Sequence, residues 1–411
     1  MTFAQVAFFL RNFANQICYT MQNFDYQTPT RLIFGRGVVD EKLPRVMAQF
    51  GKRILLTYGG GSIKRSGLYD KVYALLPDAE ITELPGIEPN PKYSTSVVEG
   101  VRLCKEKHID VILSVGGGSV LDCSKAIAAG AKYDGETWDL ITRKVKTLAA
   151  LPIVDIITLA ATGSEYDCGG VISRPETHDK IGYLAPTNFP AVSFIDPTYT
   201  FTVPPMHTLA GVADCISHIM EQYFCADHID MNDAFMEGAV RSLCKNVRVV
   251  LQNPEDYNAR AEIFYACTLG CNGIYALGNS ESGWPLHAIE HALSGFYDIT
   301  HGIGLAIVAP RWMMYILTHT TGDLHTQVVE RITSFGNHIW HTDTPEAAIH
   351  ALYDCYHELG IPMTLPQVGI DASRLPEIAQ HIALNEGLDS AWVPLQENDI
   401  LTILTDCLQE M

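Results

Sequence analysis

From Arg31 to about Pro204 short apolar runs alternate with amphipathic stretches, and glycine or proline punctuates the joins. Arg31 to Phe34 is a short run ended by Gly35. Arg53 to Tyr58 is followed by Gly59, Gly60, Gly61 and Ser62, then a helical pattern through Leu76. Ile81 to Leu84 leads through the turn Glu88-Pro-Asn-Pro91 into a helix ending near Lys107. Asp110 to Val115 reads as a buried strand, with Gly116, Gly117, Gly118 and Ser119 between it and a helix through Ala131. Further strands are expected at 153–158 and 191–195. Parallel strands need long crossovers, so this alternation predicts a mostly parallel sheet covered by helices on both faces.

After Asp196-Pro197 the period changes. Leu209, Val212, Ala213, Ile216, Ile219, Met220 and Tyr223 form a 3.6-residue stripe on a helix that begins at Val203-Pro204-Pro205. Helical patterns follow at about 230–252, 257–277, 285–295, 303–318, 322–338, 345–359, 373–384 and 397–410. No alternating β-branched run interrupts them. The expected fold is therefore an α/β region over 21–200 and an all-helical region over 201–411. There is no internal repeat and no low-complexity segment.

Composition narrows the partners. Of 411 residues, 47% are hydrophobic and 18% charged, as in a compact globular chain with two sizeable cores. The net charge of −19 comes without any Lys/Arg-rich run, which speaks against nucleic acid or an anionic membrane as partner. Eleven cysteines are scattered with no Cys-x-x-Cys pair, the pattern of reduced, buried thiols in a cytoplasmic protein. Residues 1–20 carry an apolar run, Phe3 to Leu10, too short to span a bilayer and wrongly ordered for a signal peptide. They are read as a possible extension before a second plausible start at Met21.

Both glycine loops lie between a strand and a helix, where backbone N–H groups and the helix N-terminus can hold phosphate. Neither is a GxGxxG fingerprint, since Lys64 and Leu121 stand where the third glycine belongs, and neither is a P-loop. The first strand ends without the acidic residue that would bond a ribose 2′-hydroxyl and repel a 2′-phosphate. With Lys64 and Arg65 close behind, that loop favours NADP(H) over NAD(H).

Two further patterns carry metal chemistry. Asp214 and His218 are four apart on the helix that starts near 205, and so are His287 and His291 on a later one, with His301 ten residues on. Residues at this spacing share a helix face. One carboxylate with two or three imidazoles suits Fe(II) or Zn(II) and is too nitrogen-rich for Mg or Ca. Asp214 and His218 lie opposite the apolar stripe, where an ordinary solvated face would look the same. Replacing His218 is accordingly expected to cost little stability.

Taken together these stretches resemble the iron-containing alcohol dehydrogenases, in their butanol dehydrogenase and NADPH-dependent aldehyde reductase branch. The matching segments are Thr30-Arg-Leu-Ile-Phe-Gly35, the two Gly-Gly-Gly-Ser loops, Gly86 to Pro91, Gly116 to Asp122, Thr158 to Glu165, Asp196-Pro197, Asp214-x3-His218 and His287-x3-His291-x9-His301. They run in order from about residue 24 to the C-terminus. The resemblance implies a Rossmann-like α/β part and a helical metal-binding part, as in the dehydroquinate synthase-like fold. It implies one metal held by Asp214, His218, His287 and His301, with His291 as the catalytic histidine beside nicotinamide and substrate. Cofactor contacts implied are both glycine loops, Asn90, Asp122, Thr158, Ser164, Lys180 and Tyr199. Asp167 departs from the neutral amide of the relatives. The expected activity is hydride transfer between NADP(H) and an alcohol or aldehyde, mainly as an aldehyde reductase, in a homodimer. A dehydroquinate synthase-like lyase lacks support from any basic phosphate-recognising motif beyond the cofactor loops. A non-catalytic nucleotide-binding protein would have no need of four metal ligands.

Overall fold

The computed structural model describes residues 21–411 apart from Glu281 and Glu386, so the reading of residues 1–20 as an extension lies outside the described residues. The first half runs β1 (Arg31–Phe34), α1 (Val38–Met47), β2 (Arg53–Tyr58), α2 (Ser62–Arg65), α3 (Leu68–Leu75), β3 (Glu80–Leu84), α4 (Val98–Glu106), β4 (Val111–Gly116), α5 (Gly118–Gly130), α6 (Thr137–Ile141), β5 (Ile153–Ile157), β6 (Gly169–Arg174), β7 (Asp179–Leu184) and β8 (Val192–Ile195). Six of these strands form one sheet in the order β1-β8-β5-β4-β2-β3, every neighbouring pair parallel. Strands β6 and β7 form a separate antiparallel hairpin that the periodicity does not announce. The second half is helical: α7 (Pro205–Tyr223), α8 (Asp230–Gln252), α9 (Tyr257–Gly270), α10 (Pro285–Tyr297), α11 (His301–His319), α12 (Gly322–Trp340), α13 (Pro345–Glu358), α14 (Leu375–Asn385) and α15 (Glu397–Asp406). The expected fold class, a parallel α/β part followed by helices, is what the chain adopts.

The strands alternate their side chains between two cores, as a pleated sheet must. Ile54, Leu56, Val111, Leu113 and Val115 face α1 and α3, packing on Val39, Leu43, Val46 and Val72. Leu55, Ile112, Ile153, Ile157 and Ile195 face the other way, into a cluster that continues through α5 and α7 to α15. Helix α7 lies at its centre. Every residue from Thr208 to Tyr223 is buried, so the face carrying Asp214 and His218 is not solvated. The stripe read from the sequence is one side of a helix enclosed all round.

Candidate metal centre and cofactor cleft

Three helices supply the metal-ligating pattern. Asp214 and His218 come from the middle of α7, His287 from the first turn of α10, and His301 opens α11. Two close backbone approaches bring them together. A β-carbon on Gly302 would overlap the carbonyl oxygen of Ala210, and one on Gly211 would overlap that of Ala160. Only glycine lets α11 start against α7 and lets α7 press on the chain after β5. The outcome is a carboxylate oxygen ringed by imidazoles: Asp214 Oδ1 lies 3.5 Å from His218 Nε2, 3.9 Å from His287 Nε2 and 3.5 Å from His301 Nε2. Asp214 Oδ1 and His287 Nε2 are buried without a hydrogen-bond partner. Buried polar atoms are ordinarily satisfied, so orphaned atoms converging on one point fit a cation of the Fe(II) or Zn(II) type.

Two carboxylates that the sequence reading passed over stand behind this ring. Glu221 Oε1 accepts from the His287 backbone N–H at 2.9 Å and lies 3.2 Å from His287 Nδ1. Glu290 bonds His301 Nδ1 and the Ser294 hydroxyl, and its Oε2 takes the Lys180 ammonium at 3.0 Å. Holding Nδ1 in this way turns Nε2 of both rings toward Asp214. Each glutamate is three residues beyond a histidine, Glu221 after His218 and Glu290 after His287, and that spacing was the available signal. Burial pushes the Asp214 carboxyl up, but His218, His301 and His287 outweigh it and leave it below the usual carboxylate range. Burial lowers His218 to about 4. His287 is held up at about 9, because Asp214 and Glu221 overcome the burial penalty.

His291, one turn after His287, is buried with Nε2 unpartnered. Burial, then Lys180 and His301, push its pKa well below the ordinary value, so the ring is neutral. It lines a pocket of about 390 Å³ between the β6–β7 hairpin, α10 and α14, together with Lys180, Gly182 and Arg143. Lys180 therefore stands behind His301, 3.1 Å from its Nδ1, and within reach of this pocket.

The glycine loops leave adjacent strands side by side, since Tyr58 of β2 pairs with Val115 of β4. A β-carbon on Gly60 would meet nothing within 4 Å, and one on Gly61 would sit 3.7 Å from an Arg65 guanidinium nitrogen. Lys64, by contrast, is turned away onto the Tyr69 ring at 4.5 Å and the Tyr58 ring at 5.1 Å. Open space, a helix start and one cation beside the loop fit a phosphate-bearing cofactor. Two paths connect the loops to the metal centre. Asn90, in the left-handed conformation, donates to Asp298 Oδ1 at 2.9 Å and Ile299 O at 3.2 Å, just before His301. Gly117 packs on Leu159, and Thr158 N bonds Gly116 O at 2.9 Å. The side chains of Asp122 and Ser164 are bonded to each other at 2.7 Å, and Asp122 also accepts from Val171 N, so both brace the cleft wall. Tyr199 packs with α1 and α3 on the other sheet face, and its hydroxyl is buried without a partner. No described contact ties Tyr199 to either glycine loop.

Asp167 has a partner the sequence did not reveal. Lys125, fully buried in α5, donates to Asp167 Oδ1 at 2.8 Å and to the carbonyls of Ser164, Asp167 and Gly169. It pins the 164–169 turn that leads into the hairpin. A lysine set between small and apolar residues, Cys123 and Ser124 before it and Ala126 and Ile127 after it, was the signal. Glu165 in the same turn accepts from Thr268 of α9 at 2.6 Å, tying the α/β part to the helices.

The family profile described as iron-containing alcohol dehydrogenase matches residues 29–197, and its C-terminal counterpart matches 208–408. The NADH-dependent butanol dehydrogenase A of Clostridium acetobutylicum is 41% identical over 93% of this chain and 99% of its own. The NADPH-dependent aldehyde reductase YqhD of Escherichia coli is 34% identical over 88% of this chain and 93% of its own. The crystal structure of NADH-dependent butanol dehydrogenase A from Thermotoga maritima superposes with a TM-score of 0.90 at 34% identity, covering 95% of this chain and all of the other. With both halves matched and relatives aligned along nearly their whole length, the chain belongs to the iron-containing alcohol dehydrogenase family.

Proposed function

We propose that this chain is an NADP(H)-dependent, metal-dependent alcohol dehydrogenase that works mainly as an aldehyde reductase, with Asp214, His218, His287 and His301 holding one Fe(II) or Zn(II). The observation that carries the reading is the buried, unpartnered Asp214 Oδ1 within 3.9 Å of three imidazole nitrogens. When bound, the metal would supply Lewis acidity toward a carbonyl or alcohol oxygen, and the nicotinamide would supply or accept the hydride. The protein's own part is positional and acid–base. Glu221 and Glu290 fix the ligand rings through Nδ1. His291, neutral and with Nε2 unpartnered, takes the proton of an alcohol or returns it to the product. Glu290 is already engaged by His301, Ser294 and Lys180, and Glu221 by His287, which leaves His291 as the uncommitted acid–base group.

The preference for NADP(H) is supported by the open space at Gly60 and the Arg65 guanidinium beside Gly61. The relatives are divided, the C. acetobutylicum protein being NADH-dependent by name and the E. coli protein NADPH-dependent. A comparison of kcat/KM for NADPH and NADH on metal-loaded protein tests the assignment. NADPH should be favoured, and Gly60→Asp should reverse the preference, because a carboxylate on this loop would repel a 2′-phosphate. Faster turnover per unit concentration with NADH in the native protein would show the loop to be misassigned. The homodimer implied by the family resemblance is supported by the outer edge of β1, which carries the exposed Phe34. Sedimentation of the purified protein tests it.

A further inference from the structure

The pocket in front of His291 is lined unlike a slot for a plain alkyl chain. Its apolar side chains are Ile141, Ile181 and Ala292, and the rest of its wall is polar. Of its two fixed cations, Lys180 is already neutralised by Glu290. Arg143 is different. It is exposed, and among the described residues its one side-chain hydrogen bond is from Nη2 to the Gly182 carbonyl at 2.8 Å. The rest of its N–H fork is uncommitted among the described residues. Asp179, the carboxylate in the lining, takes the Thr177 hydroxyl at 2.6 Å.

The placement of Arg143 is held from two sides. Its backbone has φ +59°, the left-handed region where residues other than glycine are uncommon. Its side chain reaches across to the hairpin and rests on Gly182. On the same residue, a β-carbon at Gly182 would touch His291 Cε1 at 3.7 Å. Guanidinium and imidazole therefore flank one glycine, so a short substrate with its carbonyl toward His291 would have its far end near Arg143. A guanidinium fork matches a carboxylate in shape and charge better than any other side chain does.

We propose that this pocket selects aldehydes that carry a terminal carboxylate, bound by the Arg143 guanidinium, over plain alkanals of the same length. The inference rests on reading the site as that of an aldehyde reductase. The test compares 4-oxobutanoate with butanal, using metal-loaded protein and both NADPH and NADH. The native protein should favour 4-oxobutanoate in kcat/KM by about tenfold, the modest end for a charge-assisted pair because Arg143 is solvent-accessible. Arg143→Gln keeps an N–H donor for the Gly182 carbonyl but no charge, and should abolish that ratio through KM for the oxoacid. Arg143→Lys should keep most of it. Brisk reduction of butanal with no advantage for 4-oxobutanoate, or an unchanged ratio in Arg143→Gln, overturns the proposal alone. Turnover of neither aldehyde with either nicotinamide overturns the reductase reading and this selectivity with it.

Discussion

At the residue scale the question is what a ligand histidine costs when it is also part of the core. His218 is buried, stacked on His287 with ring centroids 4.7 Å apart and planes 13° from parallel. Trp284 covers it from the side at 5.9 Å. Truncating it leaves a hole in a packed helix and removes a neighbour from the Asp214 carboxylate. His218→Ala should therefore destabilise the protein by about 1–3 kcal/mol, not by the few tenths expected of a solvated face. Metal content and aldehyde turnover should fall by orders of magnitude, since one of four ligands is gone. NADPH affinity should be largely kept, because the glycine loops are built on β2 and β4. Metal analysis, NADPH titration and urea unfolding on one preparation decide the matter. A metal-replete, fully active His218→Ala protein would sink the assignment of the quartet.

At the element scale, the turn between β5 and the hairpin joins sheet to helices through buried acids. Glu165 is raised from 4.5 to about 7 chiefly by burial, the Thr268 hydroxyl working the other way. Between about pH 4.5 and 7 the folded chain then holds a proton there that the unfolded chain has lost. The contribution of Glu165 to stability falls as pH rises through that window and levels off above it. Glu165→Gln keeps an acceptor for Thr268 and cannot ionise. It should match the native protein near pH 4.5 and exceed it by on the order of 2 kcal/mol at pH 8. An unchanged difference between urea midpoints at the two pH values would refute this. Elements of this kind mark where the sequence stops being readable. The central strands β2, β4, β5 and β8 were legible because their apolar runs are buried on both faces. Strands β6 and β7 were not, because Gly169, Gly170 and Gly182 break the alternation and their burial is mixed. The spacing of Asp214, His218, His287 and His301 was legible, but the burial of α7 was not, since it depends on α11 and on the chain near Ala160 arriving from far along the sequence. Lys125 and Arg143 act through distant backbone carbonyls, which no local pattern encodes.

At the scale of the whole molecule, the two halves share one interior. The apolar cluster that begins with Leu55 and Ile112 of the sheet continues through Ile127, Leu209 and Ile216 to Ile403 and Cys407. Among the described residues, three buried side-chain hydrogen bonds cross the same boundary: Asn90 to Ile299 O, Thr268 to Glu165, and Lys180 to Glu290. A ligand that stabilises the helices should then stabilise the sheet as well. Metal at about 100 times its dissociation constant adds about 2.7 kcal/mol to the folded state, which slows exchange of globally protected amides by about 100-fold. If the shared core makes unfolding cooperative, that factor should appear in β4 and β5 as well as in α7, although the sheet contributes no metal ligand. Hydrogen exchange of metal-stripped and metal-loaded protein, read by mass spectrometry, measures both regions at once. Slower exchange confined to α7, α10 and α11, with β4 unaltered, would mean that the halves unfold separately and that the common cluster does not couple them.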